Sequence, residues 1–304
     1  MKPFTYLTPG STAEAVSLLD EYAPHARVIA GGQTLLLAMK TRAERPGVLV
    51  SLSGIADLAG LRVAGSGELV VGATTTYAAL AKAGLTGWHA EISAVGGDLA
   101  DRPVRTMGTI GGALCAADPR FDMLTLVAGT GAQLDVLAPS GVRTLTPQEF
   151  FRPGGGIKLA PNEILASIRF AAADAFTAVA FEKFRQRTFD AAVASVLCAV
   201  RTDAGGRLAA IRIAVGAVRP VPVLAEGTAA ELTGSPAAYV DPDSAATRIA
   251  TEVLGASGGT PVPHTKCEHT CPVGGSLSKR RSSSDHRARD SRACQESSKV
   301  SVGY

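Results

Sequence analysis

Aromatic residues make up only 5% of the 304 positions and charged residues only 19%. Ala, Val and Leu must therefore do most of the packing, which suits a globular chain whose hydrophobic fraction is 46%. Long apolar runs are absent. Each is broken by Gly, Thr or a charge before the roughly 18 residues that a membrane span needs, and no membrane span is expected. The opening MKPFTYLTPGS lacks the apolar centre of a secretory leader, so a cytoplasmic protein is expected. Cysteine is scarce. Only Cys115 and Cys198 fall within residues 1–258, too few for the four thiolates of an iron–sulfur cluster. The formal net charge of +3 argues neither for nor against nucleic acid, and no nucleic-acid partner is expected. Neither the G-x-G-x-x-G dinucleotide fingerprint nor a P-loop occurs.

At 304 residues the chain exceeds one ordinary core and implies several domains. Its charge is unevenly placed. Residues 259–304 hold 8 Lys or Arg against 4 Asp or Glu, with 9 Ser and only five residues drawn from Val, Leu, Ile, Phe and Met. Such a segment cannot bury enough apolar surface to fold alone, and residues 257–304 are expected to form a disordered basic tail.

The body reads as α+β. Ser11 or Thr12 can cap a helix over 11–22. Short strands are expected at 27–30, 48–52 and 68–72, and a helix over 74–80 behind Thr caps. A helix over 90–99 is expected to break at Gly96-Gly97. Residues 105–119, rich in glycine and small side chains, suit tight turns, and a helix follows over 124–129. A hairpin is expected from 133–137 and 141–145, a short helix over 146–151 and a strand over 163–170. A further unit has strands at 177–185, 194–201 and 207–216. It ends in a helix over 245–254 that Asp243 or Ser244 is placed to cap.

Two glycine turns carry the chemistry. In Ala30-Gly31-Gly32-Gln33-Thr34, followed by Leu35, a strand runs through two glycines into a helix start. Backbone N–H groups there are uncovered by side chains and can cradle a phosphate. Thr109-Ile110-Gly111-Gly112-Ala113 repeats the pattern, with Asp118 and Asp122 following. Either turn alone reads more readily as an ordinary tight turn, and the two Asp as turn and cap residues. Together they suggest one extended ligand with a diphosphate.

The ordered set AGGQTLLLAMK (30–40), RTMGTIGGALCAADP (105–119), EIL (163–165) and FEKF (181–184) resembles the FAD-binding medium subunit of molybdenum hydroxylases, the carbon monoxide dehydrogenase and xanthine dehydrogenase flavin family. The resemblance covers about residues 1–255. It implies a vanillyl-alcohol-oxidase (PCMH) type FAD-binding domain of two subdomains, 1–55 and 56–172, and a small C-terminal α+β domain over 173–256. It implies FAD held by the backbone of Ala30 to Leu35, with the Thr34 hydroxyl as a further donor. Thr109, Ile110, Gly111, Gly112 and Ala113 would line the other side of the diphosphate and flavin, with Asp118 beside them. Asp122 would accept hydrogen bonds from the cofactor's polar middle, Leu165 would pack near the ring, and Lys183 would stand beside the flavin. Without the resemblance Lys183 reads as a solvated strand lysine beside Glu182. Gln33 replaces the His or Thr of many relatives, Ala113 their Asn or Ser, and Asp101-Arg102-Pro103-Val104-Arg105 a more usual Gln-Val-Arg-Asn stretch. Cys115 reads as a packing residue, since no positioned His is evident nearby.

The resemblance further implies a heteromeric oxidoreductase. A large subunit holds the molybdopterin cofactor and a small one two [2Fe–2S] clusters, with the whole a dimer of heterotrimers. This chain would pass electrons from the clusters through FAD to an external acceptor. An N-heterocycle or a catabolic intermediate is the substrate guess. A stand-alone flavin oxidase of the same fold and a scaffold subunit that has lost FAD are the alternatives.

The tail also holds His264, Cys267, His269 and Cys271 at spacings irregular for structural zinc. With G or C at the free codon positions, a two-base shift over His264–Cys271 reads His-Glu-Val-Arg-Ala-His-Leu, like the amphipathic helix with which relatives end. An out-of-frame tail is therefore an expectation, arising from a real frameshift or a sequencing error. Intact mass of the natural subunit checks it: a mass matching all 304 residues as written excludes a sequencing error.

Overall fold

The computed structural model of the chain describes residues 2–255. The tail expectations, disorder, zinc and the shifted frame, lie outside the described residues.

Three sheets follow one another along the chain. Strand β1 (Thr5–Leu7) leads to helix α1 (Thr12–Glu21), where Ser11 Oγ accepts the Glu14 N–H at 3.1 Å and so caps the first turn. Ala15, Val16 and Leu19 recur on one face of α1 and are buried. Strand β2 (Ala26–Ile29), helix α2 (Leu35–Lys40) and strand β3 (Val48–Ser51) complete a parallel sheet in the order β1-β3-β2. All four residues of β3 are buried, as a central parallel strand requires.

The second sheet starts with β4 (Leu61–Val63) and β5 (Leu69–Gly72). Five helices come next: α3 (Tyr77–Ala81), α4 (Ala90–Asp98), α5 (Arg102–Met107), α6 (Ile110–Ala116) and α7 (Asp122–Thr130). Strands β6 (Gln133–Ala138) and β7 (Gly141–Leu145), helix α8 (Pro147–Phe150) and strand β8 (Ile164–Phe170) close an antiparallel sheet ordered β4-β5-β8-β6-β7. Val71, Leu134, Val136, Ile168 and Phe170 share one core with Leu114, Leu124 and Val127 of α6 and α7. Every residue of α7 is buried, so this helix is sandwiched rather than laid on a surface.

The third sheet, antiparallel and ordered β12-β11-β10-β9, is built from β9 (Ala178–Phe184), β10 (Ala194–Thr202), β11 (Leu208–Gly216) and β12 (Val223–Leu224). Leu197 and Ala199 of β10 join the core around α7. Residues of the opposite parity, Val196, Cys198 and Val200, face a separate core with helices α9 (Glu226–Leu232) and α10 (Pro242–Leu254). The alternation of the strand thus serves two cores at once.

Several expectations are corrected. The stretch 105–119 is mostly helical, not turns: the Asp101 carboxylate caps α5 through Val104 N–H and Thr109 Oγ caps α6 through Gly112 N–H. Two well-formed caps outweigh the weak helix propensity of glycine. Helix α4 runs unbroken through Gly96-Gly97, packed beside α3. The cap of α10 is Asp241, since Pro242 takes the first helical position and starts the helix earlier than expected. Strands β1 and β4 and helix α9 had no expectation at all.

Phe170 is fully buried and meets the edge of Trp88, ring centroids 6.3 Å apart. Phe170→Ala should cost about 3–5 kcal/mol, read as a lower urea midpoint with an unchanged slope.

Candidate cofactor-binding cavity

The first glycine turn abuts the backbone just ahead of the second, which lies some eighty positions further along the sequence. A Cβ built on Gly31 would run into the carbonyl oxygen of Met107, next to Gly108. No residue but glycine lets these backbones approach so closely. On the far side of α6, a Cβ on Gly111 would stand 2.5 Å from Ala73 Cβ, so α6 also sits directly on the strand-end backbone. The result is a cavity of about 770 Å³, in the upper part of the roughly 300–1,000 Å³ range of small-molecule sites.

Of the residues singled out from the sequence, Ala30, Gly31, Gly32, Gln33, Thr34 and Leu35 line one wall. Thr109, Gly111, Gly112 and Ala113 line another, and Asp122, Leu165 and Lys183 also face the cavity. Ile110 and Asp118 do not. Ile110 is fully buried in the core. Asp118 forms an ion pair with Arg120 at 2.7 Å, which lowers its pKa, and Arg120 rather than Asp118 reaches the cavity.

The two turns differ in what they offer a ligand. Among the described residues, the N–H groups of Gly31, Gly32, Gln33 and Thr34 have no acceptor. Thr34 Oγ makes no capping bond either. These four donors and a hydroxyl form a preset row for an anion. The second turn has no such row. Ile110 N–H donates to Thr75 O, Gly111 N–H to Ala73 O, Gly112 N–H to Thr109 Oγ and Ala113 N–H to Thr109 O. Its wall therefore offers close van der Waals approach, and among its five N–H groups only that of Thr109 has no acceptor among the described residues.

Opposite lies a buried ion pair. Lys183 Nζ on β9 stands 2.6 Å from Asp122 Oδ2 at the start of α7, and 3.3 Å from Asp98 Oδ2. The Lys183 side chain is 7% exposed, so the solvated-lysine reading is corrected: the sheet face on which it stands is packed against α4 and α7. Burial raises the Asp122 pKa, and the hydrogen bond and charge of Lys183 oppose that rise. Asp122 Oδ1 is buried with no partner. A buried carboxylate oxygen left unpaired is costly, and here it belongs to a residue on the cavity wall, where a ligand's donor would relieve it. Tyr77 also faces the cavity, its hydroxyl held neutral by burial and by the Asp122 charge. Cys115 is on the wall too, but burial pushes its thiol up to about 12, which suits packing and not nucleophilic chemistry. Among the described residues, no three His, Cys, Asp or Glu side chains gather as a metal would need, and no helix is long and apolar enough to cross a membrane.

Sequence reasoning missed Tyr77, Leu99, Arg120 and Phe189 on the walls, and Asp98 behind Lys183. Only Tyr77, following its Thr cap, had any local signal. The others come from separate loops whose meeting nothing in their own neighbourhoods encodes.

An FAD-binding domain of molybdopterin dehydrogenases matches residues 2–172, and a CO dehydrogenase flavoprotein C-terminal domain matches 179–263. The chain belongs to this FAD-binding family of molybdenum hydroxylase medium subunits. Over 233 residues it is 34% identical to the carbon monoxide dehydrogenase medium chain of Afipia carboxidovorans, covering 76% of this chain and 80% of that one. It is 27% identical over 223 residues to the xanthine dehydrogenase FAD-binding subunit of Escherichia coli O157:H7, covering 72% and 75%. Among solved structures it superposes on carbon monoxide dehydrogenase from Hydrogenophaga pseudoflava lacking the Mo-pyranopterin moiety, with TM-score 0.78, 31% identity and coverage of 86% and 89%. Quinoline 2-oxidoreductase from Pseudomonas putida 86 gives TM-score 0.74 at 29% identity, covering 86% and 90%. The fold is thus that of the FAD-binding subunit, with the C-terminal flavoprotein domain attached.

Asp122→Ala would strand Lys183 in the protein interior beside the more exposed Asp98. Breaking such a pair from one side should cost about 3 kcal/mol, measured by urea denaturation of the flavin-free chain.

Proposed function

We propose that the cavity holds FAD in an extended pose. The diphosphate lies on the N–H row of Gly31 to Thr34, and the Thr34 hydroxyl adds a donor. The carrying observation is the pairing, within one cavity, of four unoccupied N–H donors with the orphaned Asp122 Oδ1. An anion suits the first, and a ligand N–H or O–H suits the second. Thr109, Gly111, Gly112 and Ala113 form the close-packed wall, Leu165 packs near the ring, and the Asp122–Lys183 pair orients the ring's polar edge. Residues 1–55 and 56–172 are the two halves of the cofactor domain. Residues 173–256 form the C-terminal domain, which lends Lys183 to the site.

When bound, the flavin supplies the ability to take up electrons and hand them on. The protein's own part is to bind, orient and desolvate. Leu165 and the α6 wall exclude water, and Lys183 keeps a positive charge beside Asp122. This chain is read as the cytoplasmic medium subunit of a molybdenum hydroxylase. It takes electrons from a small subunit with two [2Fe–2S] clusters and passes them to an external acceptor. A large subunit carries the molybdopterin cofactor, and the complex is a dimer of heterotrimers. The substrate is an N-heterocycle or a catabolic intermediate derived from one. Among the described residues only Cys115 and Cys198 are present, which supports placing the clusters in a partner. A scaffold subunit without FAD fits less well, because it would leave the donor row and Asp122 Oδ1 without a purpose. A stand-alone flavin oxidase is distinguished by purification without partners.

The test is the visible spectrum of the purified protein and of its supernatant after denaturation. About one FAD per chain is expected. A folded, colourless preparation, with no FAD taken up on addition, overturns the cofactor assignment.

A further inference from the structure

The turn between α4 and α5 is held in an unusual way. Three consecutive carbonyls are each bound by a cation. Asp98 O accepts from Lys183 Nζ at 3.0 Å and from Arg185 Nη1 at 3.2 Å. Leu99 O and Ala100 O both accept from Arg105 Nη1, at 2.8 and 2.6 Å. The Asp98 carboxylate is gripped by both arms of Arg185, at 3.0 Å each, and by Lys183 at 3.3 Å. Ala100 sits at φ 40°, a left-handed conformation that a non-glycine residue adopts only when its surroundings hold it there. Leu99 and Ala100 line the cavity, whereas Asp98, Arg105 and Arg185 do not.

Lys183 is therefore shared. Its ammonium contacts Asp122, whose free oxygen belongs to the cavity wall, and Asp98, which belongs to the turn. Arg185 is the first residue after β9, and it fixes Asp98 from the other side. A flexible lysine alone holds its charge loosely. A lysine bracketed by two carboxylates, one of them locked by a bidentate guanidinium, has one place to stand.

We infer that Asp98, Arg185 and Arg105 are positioning residues for the flavin site: Asp98 and Arg185 place the Lys183 ammonium against Asp122, and Arg105 holds the wall formed by Leu99 and the left-handed Ala100. The inference rests on the FAD reading above and deepens it. It makes the C-terminal sheet a working part of the cofactor site, since β9 supplies Lys183 and the residue directly after the strand is Arg185.

The experiment is a double-mutant cycle on the full chain, with FAD affinity read by ultrafiltration and the flavin absorption band read alongside. Far-UV circular dichroism checks the fold of each variant. Asp98→Asn should weaken FAD binding about tenfold and shift the absorption band, because the Lys183 charge is released. In a Lys183→Met background the same change should do nothing further, since Asp98 acts through Lys183. Arg105→Gln should weaken binding in either background. Should Asp98→Asn fail to fold, Arg185→Lys is read the same way, as it keeps the charge but loses the two-armed grip on Asp98. Additive effects, or an Asp98→Asn chain that binds FAD like the wild type with an unmoved band, overturn the inference and leave the cofactor reading standing. A folded wild-type chain that takes up no FAD overturns both.

Discussion

A single buried ion pair, Lys183 with Asp122 at 2.6 Å, ties the molecule together around its cavity. Asp122 begins α7, the helix buried on every side between the second and third sheets. Lys183 lies on β9 of the third sheet. Taking two charges out of water is expensive, and the expense is tolerable only where geometry and further hydrogen bonds are good. Here the lysine finds Asp122, Asp98 and a carbonyl, while Asp122 keeps one oxygen unanswered. That unanswered oxygen belongs to a residue of the cavity wall, where a ligand's donor would relieve it.

Around this pair the cavity is assembled by close backbone approach. The first glycine turn abuts the end of α5, and α6 sits directly on the backbone after β5. Side chains at those contacts would hold the layers apart and move the walls. The two glycine-rich segments look alike in sequence but divide the labour. One leaves four N–H groups without acceptors, while the other uses four of its five to seat and cap a helix. A helix N-terminus whose donors are already accepted by Thr109 and the preceding strand end has little left for a phosphate.

The family resemblance, together with hydrophobic periodicity and turn chemistry, made most of the architecture readable. The Ser11 cap, the 133–145 hairpin and the long strands of the third sheet declare themselves locally. The failures are equally local in cause. Gly-rich 105–119 looks like turns because glycine disfavours helix on its own, and only packing and capping reverse that. Strands β1 and β4, three residues each, carry too few positions for a period to show.

The ordered motifs at 30–40, 105–119, 163–165 and 181–184 were legible in the chain alone and marked its family. Chemical type and local spacing are written in the chain directly. The tertiary structure alone decided which donors stay free, that Ile110 turns into the core, that Asp118 serves Arg120, and that Lys183 is buried between two carboxylates. The reason is physical: whether a polar group is satisfied depends on neighbours 61 or 85 positions away. Such partners meet only once the sheets have packed.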